Sequence, residues 1–248
     1  MTRVEGAGVT RRSALTGSGA VLASGLPACG REVITETLTL RVTLTAEAKG
    51  ETYSNDTVIT KQTRLVVGGS ASGGYKRHAP YVDLGSNGVL FLPFTGGGFP
   101  QLALGSLIHP AYGIKSDVHA LKYTENYIMS RLGIHPFDLD RYPTELDGYT
   151  PQNERGKLRV GFIYFPDRLD PNSARWKSRP VLLEQHGIFV KSVTFEAVKL
   201  PETDDIDQLL PWIKNKTIND TLSVNTTYPP DESAHAHVVK IYQLKGLL

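Results

Sequence analysis

Polar and apolar residues alternate strictly near the start of the chain. Between Thr35 and Ala46 the residues alternate: every second position from Leu38 onward is apolar, and most of the positions between them are threonine. The apolar set is Leu38, Leu40, Val42 and Leu44. A period of two in threonine-rich sequence predicts a β-strand with one buried and one solvated face. After the turn-like pair Lys49-Gly50, the run Thr57–Val67 is predicted to be its antiparallel partner.

Further strand patterns follow along the chain. The runs 81–84 and 89–92 flank Asn87-Gly88, a pair that tolerates positive φ, and so predict a tight hairpin. Strands are also predicted over 158–165, over 188–198 and near the end over 238–244. Within the second of these, strict alternation would place Phe189, Val193, Phe195 and Ala197 on one face.

Helical periodicity is confined to two segments. Residues 116–133 place apolar side chains on one helical face, with Ser116 as an N-cap and Gly133 at the C-terminal position. A short helix is predicted over 204–210, because its acidic start favours the helix dipole. The pattern as a whole predicts an α+β fold, mainly antiparallel β-sheet with one or two helices packed on it.

Several segments lack either period. The glycine clusters at 68–74 and 95–98 are not followed by the Lys-Ser or Lys-Thr of a phosphate loop, so flexible connections are predicted there. Prolines interrupt 134–156, which is predicted to be a long loop. The polar stretch 214–235 is predicted to be linker-like within a single β-rich domain over 35–248.

The first 28 residues have the layout of an export signal. Arg11 and Arg12 precede 16 uncharged residues, Ser13 to Ala28. A transmembrane helix needs roughly 20 apolar residues, and this run is shorter and contains glycine and proline. We therefore expect a cleaved signal rather than a membrane span.

Both ends of this run resemble known signals. The order Thr-Arg-Arg-Ser-Ala-Leu resembles the twin-arginine export signal, with Ala14 where phenylalanine is usual. Leu26, Ala28 and Cys29 resemble the lipobox of bacterial lipoproteins, with Pro27 as a departure. This resemblance implies that residues 1–28 are removed and that Cys29 becomes the lipidated N-terminus, joined to the domain by a tether over 29–34. The alternatives are a signal peptide without lipidation and a disordered cytosolic tail.

Net charge and cysteine content limit the kinds of partner and metal site that the chain can have. Removing residues 1–28 takes away three of 27 basic and one of 25 acidic side chains, which leaves 24 of each. A net charge near zero argues against a nucleic-acid partner. Because Cys29 is the single cysteine, lipidation would leave no thiol for a disulfide or a thiolate metal site.

Two groups of residues carry candidate ligand chemistry. Asp167, Asp170 and Asn172 could supply oxygen ligands to a hard cation, but the glycine and terminal glutamate of a calcium loop are missing, and a self-bonded turn is the simpler interpretation. His235 and His237 could bind a metal from one side of a strand, but no third ligand is identifiable. We predict no catalytic residue and no cofactor.

Short motifs across the chain resemble a group of uncharacterised bacterial lipoproteins. They are the runs 39–44, 82–85, 90–91, 165–173, 187–196 and 210–212, in that order. The resemblance implies no activity and therefore no site residue.

Two functional hypotheses follow. The first is a non-enzymatic envelope lipoprotein, lipid-anchored on a membrane and facing the periplasm or exterior, that binds a protein or glycan of the envelope. The second is a lipid-anchored periplasmic enzyme, exported folded with a cofactor or acting as a hydrolase through a site that the sequence does not display. The missing cofactor motif argues against the second.

Overall fold

The first strand pair confirms the alternating pattern. The computed structural model describes residues 33–66, 71–94, 101–113, 124–139, 159–223 and 238–246. Strand β1 spans Val33–Ala48 and pairs along its whole length with β2, Glu51–Val66, through a turn in which Lys49 and Gly50 have positive φ. The alternate apolar residues of β1 from Leu38 to Ala48 are buried, whereas its threonines are exposed or half-buried.

Ten more strands and five α-helices complete the described part of the chain. The strands are β3 Ala71–Lys76, β4 Tyr81–Asp83, β5 Val89–Phe91, β6 Gln101–Leu102, β7 Ile134–Phe137, β8 Arg159–Phe165, β9 Arg175–Ser178, β10 Ile188–Ala197, β11 Thr221–Ser223 and β12 Val238–Lys240. The helices are α1 Leu104–Ala111, α2 Thr124–Ser130, α3 Arg179–His186, α4 Ile206–Leu209 and α5 Tyr242–Lys245. Short 3₁₀ turns lie at Gly85–Asn87, Pro171–Ser173 and Pro211–Asn215.

The strands form two larger sheets and one small ribbon. The first sheet has the order β3-β2-β1-β10-β7 and is antiparallel throughout. In the second sheet β4, β5, β8 and β9 pair antiparallel, and β6 pairs in parallel with the start of β8. Strands β11 and β12 pair separately. The fold is α+β and mainly antiparallel, as predicted, although the short helices outnumber the one or two expected.

One continuous core joins the two larger sheets. It contains the buried leucines of β1 together with Phe91, Phe162, Phe165 and Trp176 of the second sheet. Each large apolar side chain that is fully buried contributes about 1.5–3 kcal/mol to folding. The core therefore fixes the position of the second sheet and of the polar loops at the ends of its strands.

The prediction of which β10 side chains share one face is wrong at the start of the strand. Val193 and Phe195 are buried as expected, but Phe189 is exposed and Val190 is buried. The β1–β10 register shifts between Thr45 and Ala46, so that Lys191 has no partner residue on β1. An extra residue of this kind, a β-bulge, reverses which face the following side chains occupy.

Two segments predicted to be irregular contain strands. Residues 71–74 of the first glycine cluster belong to β3. A side chain on Gly73 would come within 2.6 Å of the Gln62 carbonyl oxygen, so glycine permits the close pairing. Residues 134–137 form β7, and its Pro136 is tolerated because β7 is an edge strand. Residues 67–70, 95–100 and 140–158 lie outside the described residues.

The helical predictions are confirmed in part. Helix α2 lies inside the predicted span 116–133 but ends at Ser130, and residues 114–123 lie outside the described part. The predicted helix over 204–210 is present as α4. The linker-like stretch contains β11, and the predicted last strand ends at Lys240 before α5. Helix α3 was missed, although Pro180 at its start and left-handed Gly187 at its end are standard signals.

The chain after β10 crosses the outer face of the first sheet. Val198 N–H donates to the Thr39 carbonyl on one side, and Thr203 N–H donates to the Val58 carbonyl on the other. The Thr203 hydroxyl accepts from Val58 N–H at 2.7 Å. This crossing segment, residues 198–203, buries Val58 and Thr60 on a face that is otherwise solvated, and delivers residues 204 and 205 to the second sheet.

Candidate functional site

The loop after β8 contains three of the residues singled out in the sequence. Asp167 Oδ1 accepts from Leu169 N–H at 2.9 Å, and Asp170 Oδ1 accepts from Asn172 N–H at 2.8 Å. Bonds from a side chain to an amide two residues ahead close the turn on itself. The structure therefore has the self-bonded turn that the sequence favoured over a cation loop.

The same loop is fastened to its surroundings. The Arg168 guanidinium lies 3.0 Å from Asp83 Oδ2, and the Trp212 indole N–H donates to the Arg168 carbonyl at 2.9 Å. The Ser173 hydroxyl donates to the Asp167 carbonyl at 2.6 Å. These contacts hold the loop rigidly between the β4–β5 hairpin and the turn at Pro211–Asn215.

A second polar cluster was not found from the sequence. His78 Nε2 lies 2.8 Å from Asp205 Oδ1, and the Tyr81 hydroxyl donates to Asp205 Oδ2 at 2.7 Å. His78 Nδ1 donates to the Ala79 carbonyl at 3.1 Å. The Asp205 N–H donates to His78 Nε2 at 3.5 Å, and Asp205 Oδ1 is buried without a hydrogen bond. The crossing segment brings Asp205 here from 127 positions away, so no local pattern could reveal the cluster.

Burial decides what this cluster can do. The His78 side chain is 1% exposed, and Tyr81 is 7% exposed. Burial and the neighbouring Asp205 carboxylate raise the pKa of Tyr81 well above its ordinary value. A protonated phenol bonded to a carboxylate, beside an imidazole that solvent does not reach, joins two segments of the chain. The His78–Tyr81–Asp205 cluster is therefore a structural clamp rather than an acid–base pair open to substrate.

Buried tyrosines predict a loss of stability at high pH. Burial raises the pKa of Tyr112 from 10.0 to about 12, and it also raises the pKa of Tyr164. The folded state holds these phenol protons more tightly than the unfolded chain does. The buried protonated tyrosines therefore contribute fully to stability below about pH 10, and this contribution is lost as the pH rises further. We expect the free energy of unfolding, measured in urea, to fall by at least about 1 kcal/mol between pH 10 and pH 12. Tyr112→Phe should reduce the fall, and an unchanged profile would contradict the prediction.

A third cluster is basic. Arg175 and Lys177 project from the same face of β9, since they lie opposite Tyr164 and Phe162 of β8. The ring of His186, the last residue of α3, lies 4.9 Å from the ring of Tyr164. Burial lowers the pKa of His186, and the positive charges of Lys177 and then Arg175 lower it further. The alternation Arg-Trp-Lys is the only sequence signal for this cluster.

Metal binding has no support from the described residues. Among them, no group of three or more His, Cys, Asp or Glu side chains is placed to hold a metal ion. His235 and His237 lie outside the described residues. So do Arg11, Arg12, Leu26, Ala28 and Cys29, and the export and lipidation signals stay predictions.

Comparison with known proteins adds no assignment. No protein-family profile matches the chain, and no curated protein or solved structure shows significant similarity to it. The resemblance to uncharacterised lipoproteins therefore stays a prediction.

Proposed function

We propose that this chain is a membrane-anchored lipoprotein of the bacterial cell envelope, with Cys29 as the lipidated residue. The observation that carries the proposal is one of position: a lipobox-like Leu-Pro-Ala-Cys ends the uncharged run that follows Arg11-Arg12. The arginine pair precedes the uncharged run and the lipobox ends it, which is the order that an exported lipoprotein requires. Two or three acyl chains on one residue anchor a protein stably at a membrane, whereas a single chain binds only marginally.

The start of the described fold supports this arrangement. Strand β1 begins at Val33, four residues after Cys29. Four residues of fully extended chain span at most about 14 Å. A lipid on Cys29 would therefore keep the first strand close to the bilayer surface. No helix among the described residues is long and apolar enough to span a membrane.

The polar surface of the first sheet supports a binding or structural role for the domain. Its outer face carries paired charges, with Arg41 2.8 Å from Glu196 and Lys191 2.7 Å from Glu47. Threonine and serine hydroxyls lie between these pairs, including the Thr45–Ser54 contact at 3.0 Å. A broad, neutral surface of this kind suits an envelope protein or glycan better than it suits a nucleic acid.

Intact mass and membrane fractionation of the full chain expressed in a bacterium test the proposal. We expect the wild-type protein in the membrane fraction, heavier than residues 29–248 by a diacylglyceryl group and, in hosts that add it, a third acyl chain. Cys29→Ala should remove the added mass and release the protein from the membrane, whereas the neighbouring Ser24→Ala should not. An unprocessed soluble wild-type chain would overturn the proposal.

A further inference from the structure

Three basic side chains converge on one face of the second sheet. Arg175 lies directly opposite Tyr164, and Lys177 lies opposite Phe162, across the β8–β9 pair. His186 reaches the same face from the end of α3, where its ring contacts Tyr164. This set of Arg175, Lys177 and His186 is called the basic cluster below.

Lys177 is held inside the cluster rather than at its edge. Its side chain is 5% exposed, and its ammonium group donates to the Gln185 side-chain oxygen at 2.7 Å. Gln185 precedes His186 on α3, so this bond fixes the helix end over the sheet.

Arg175 presents an open hydrogen-bonding edge. Its Nη1 donates to the carbonyls of Asn172 and Ala174, at 3.0 Å and 2.7 Å, which fixes the plane of the guanidinium. Within the described part of the chain, Nε and Nη2 have no acceptor. These two N–H groups form the planar fork that binds two oxygens of one carboxylate or phosphate group.

Among the described residues, the charges that act on the His186 ring are positive. The two charges that act on its imidazole are those of Lys177 and Arg175, and both oppose its protonation. Such like-charged clusters are more common at functional sites than elsewhere. A bound anion would reverse the effect on His186 and would satisfy the open edge of Arg175.

We propose that Arg175, Lys177 and His186 form a binding site for an oxyanion of the phosphate type. The Arg175 fork would bind two oxygens, and the protonated His186 ring would donate to another. Lys177 would contribute charge from below the site. The same chemistry would recognise a phosphate on a soluble molecule or on a lipid headgroup. The proposal does not depend on lipidation of Cys29.

Proton NMR of the histidine rings provides a test with the full chain in mild detergent. The resonance of His186 is assigned by comparison with His186→Gln, and sulfate is the probe because its charge is constant near neutral pH. We expect sulfate to raise the pKa of His186. Arg175→Gln should weaken sulfate binding by about 10-fold or more, since a charged hydrogen bond is lost, whereas Arg64→Gln on the exposed part of β2 should not.

A second measurement distinguishes the two sources of phosphate. The Cys29→Ala chain is mixed with vesicles of phosphatidylcholine, with or without phosphatidylglycerol. Binding that requires the anionic lipid and is lost in Arg175→Gln would assign a headgroup, whereas sulfate binding without vesicle binding would assign a soluble ligand. If neither probe binds, or if Arg175→Gln binds both as the parent does, the proposal is overturned.

Discussion

We expect the Gly88→Ala variant to lose at least about 3 kcal/mol of its free energy of unfolding. Gly88 follows the 3₁₀ turn of the β4–β5 hairpin with φ 92° and ψ −160°, a conformation that is essentially restricted to glycine. A Cβ atom there would lie 2.2 Å from the Phe165 carbonyl oxygen and 3.0 Å from Pro166 Cα. Both neighbours are backbone atoms of the central strand or its end, so neither can move without disturbing the sheet.

Urea unfolding of the purified full chain measures this effect, and Gly50→Ala is the matched control. Gly50 also has positive φ, at 83°, but a Cβ atom there would meet nothing within 4 Å. Its substitution should cost only the backbone strain, about 1 kcal/mol. Equal losses in the two variants would show that the contact with Phe165 contributes nothing. Because small domains are stable by only about 5–15 kcal/mol, the expected loss is a large fraction of the total.

The two glycines show what sequence patterns can and cannot predict. Asn87-Gly88 between two apolar runs predicted the hairpin, because turn geometry depends on adjacent residues. The close approach of Phe165 could not be predicted, because it depends on how β5 pairs with β8, whose partner residues lie 72 to 76 positions further along the chain. The exposed position of Phe189 was missed for a related reason, since the bulge is defined only by pairing with β1.

The polar clusters also divide into those set by neighbouring residues, which the sequence predicts, and those set by distant parts of the chain, which it does not. The turn at Asp167 and Asp170 was anticipated because each carboxylate bonds an amide two residues ahead. The contact of His78 with Asp205 was not, because the crossing segment must first pass over the first sheet. The basic cluster lies between these cases: alternation places Arg175 and Lys177 on one face, but only the packing of α3 adds His186.

Asp205→Ala is expected to destabilise the fold by about 3 kcal/mol. The substitution leaves the buried Tyr81 hydroxyl without its acceptor and the buried His78 ring without its charged neighbour. Each buried polar group that loses its partner costs about 1–3 kcal/mol. The measurement is again urea unfolding near neutral pH.

The adjacent residue supplies the control for this prediction. Asp204 pairs with Arg77 at the surface, where both side chains are about half exposed, so Asp204→Ala should cost no more than about 1 kcal/mol. Tyr81→Phe combined with Asp205→Ala then separates the clamp from its parts. If Asp205 acts through Tyr81, the double variant should be more stable than the sum of the single losses predicts, by about 1 kcal/mol. Simple additivity of the two losses would contradict the clamp, because Asp205 would then not act through Tyr81. Equal losses for Asp204→Ala and Asp205→Ala would also contradict it, because the buried contacts of Asp205 would then contribute no more than an exposed ion pair does.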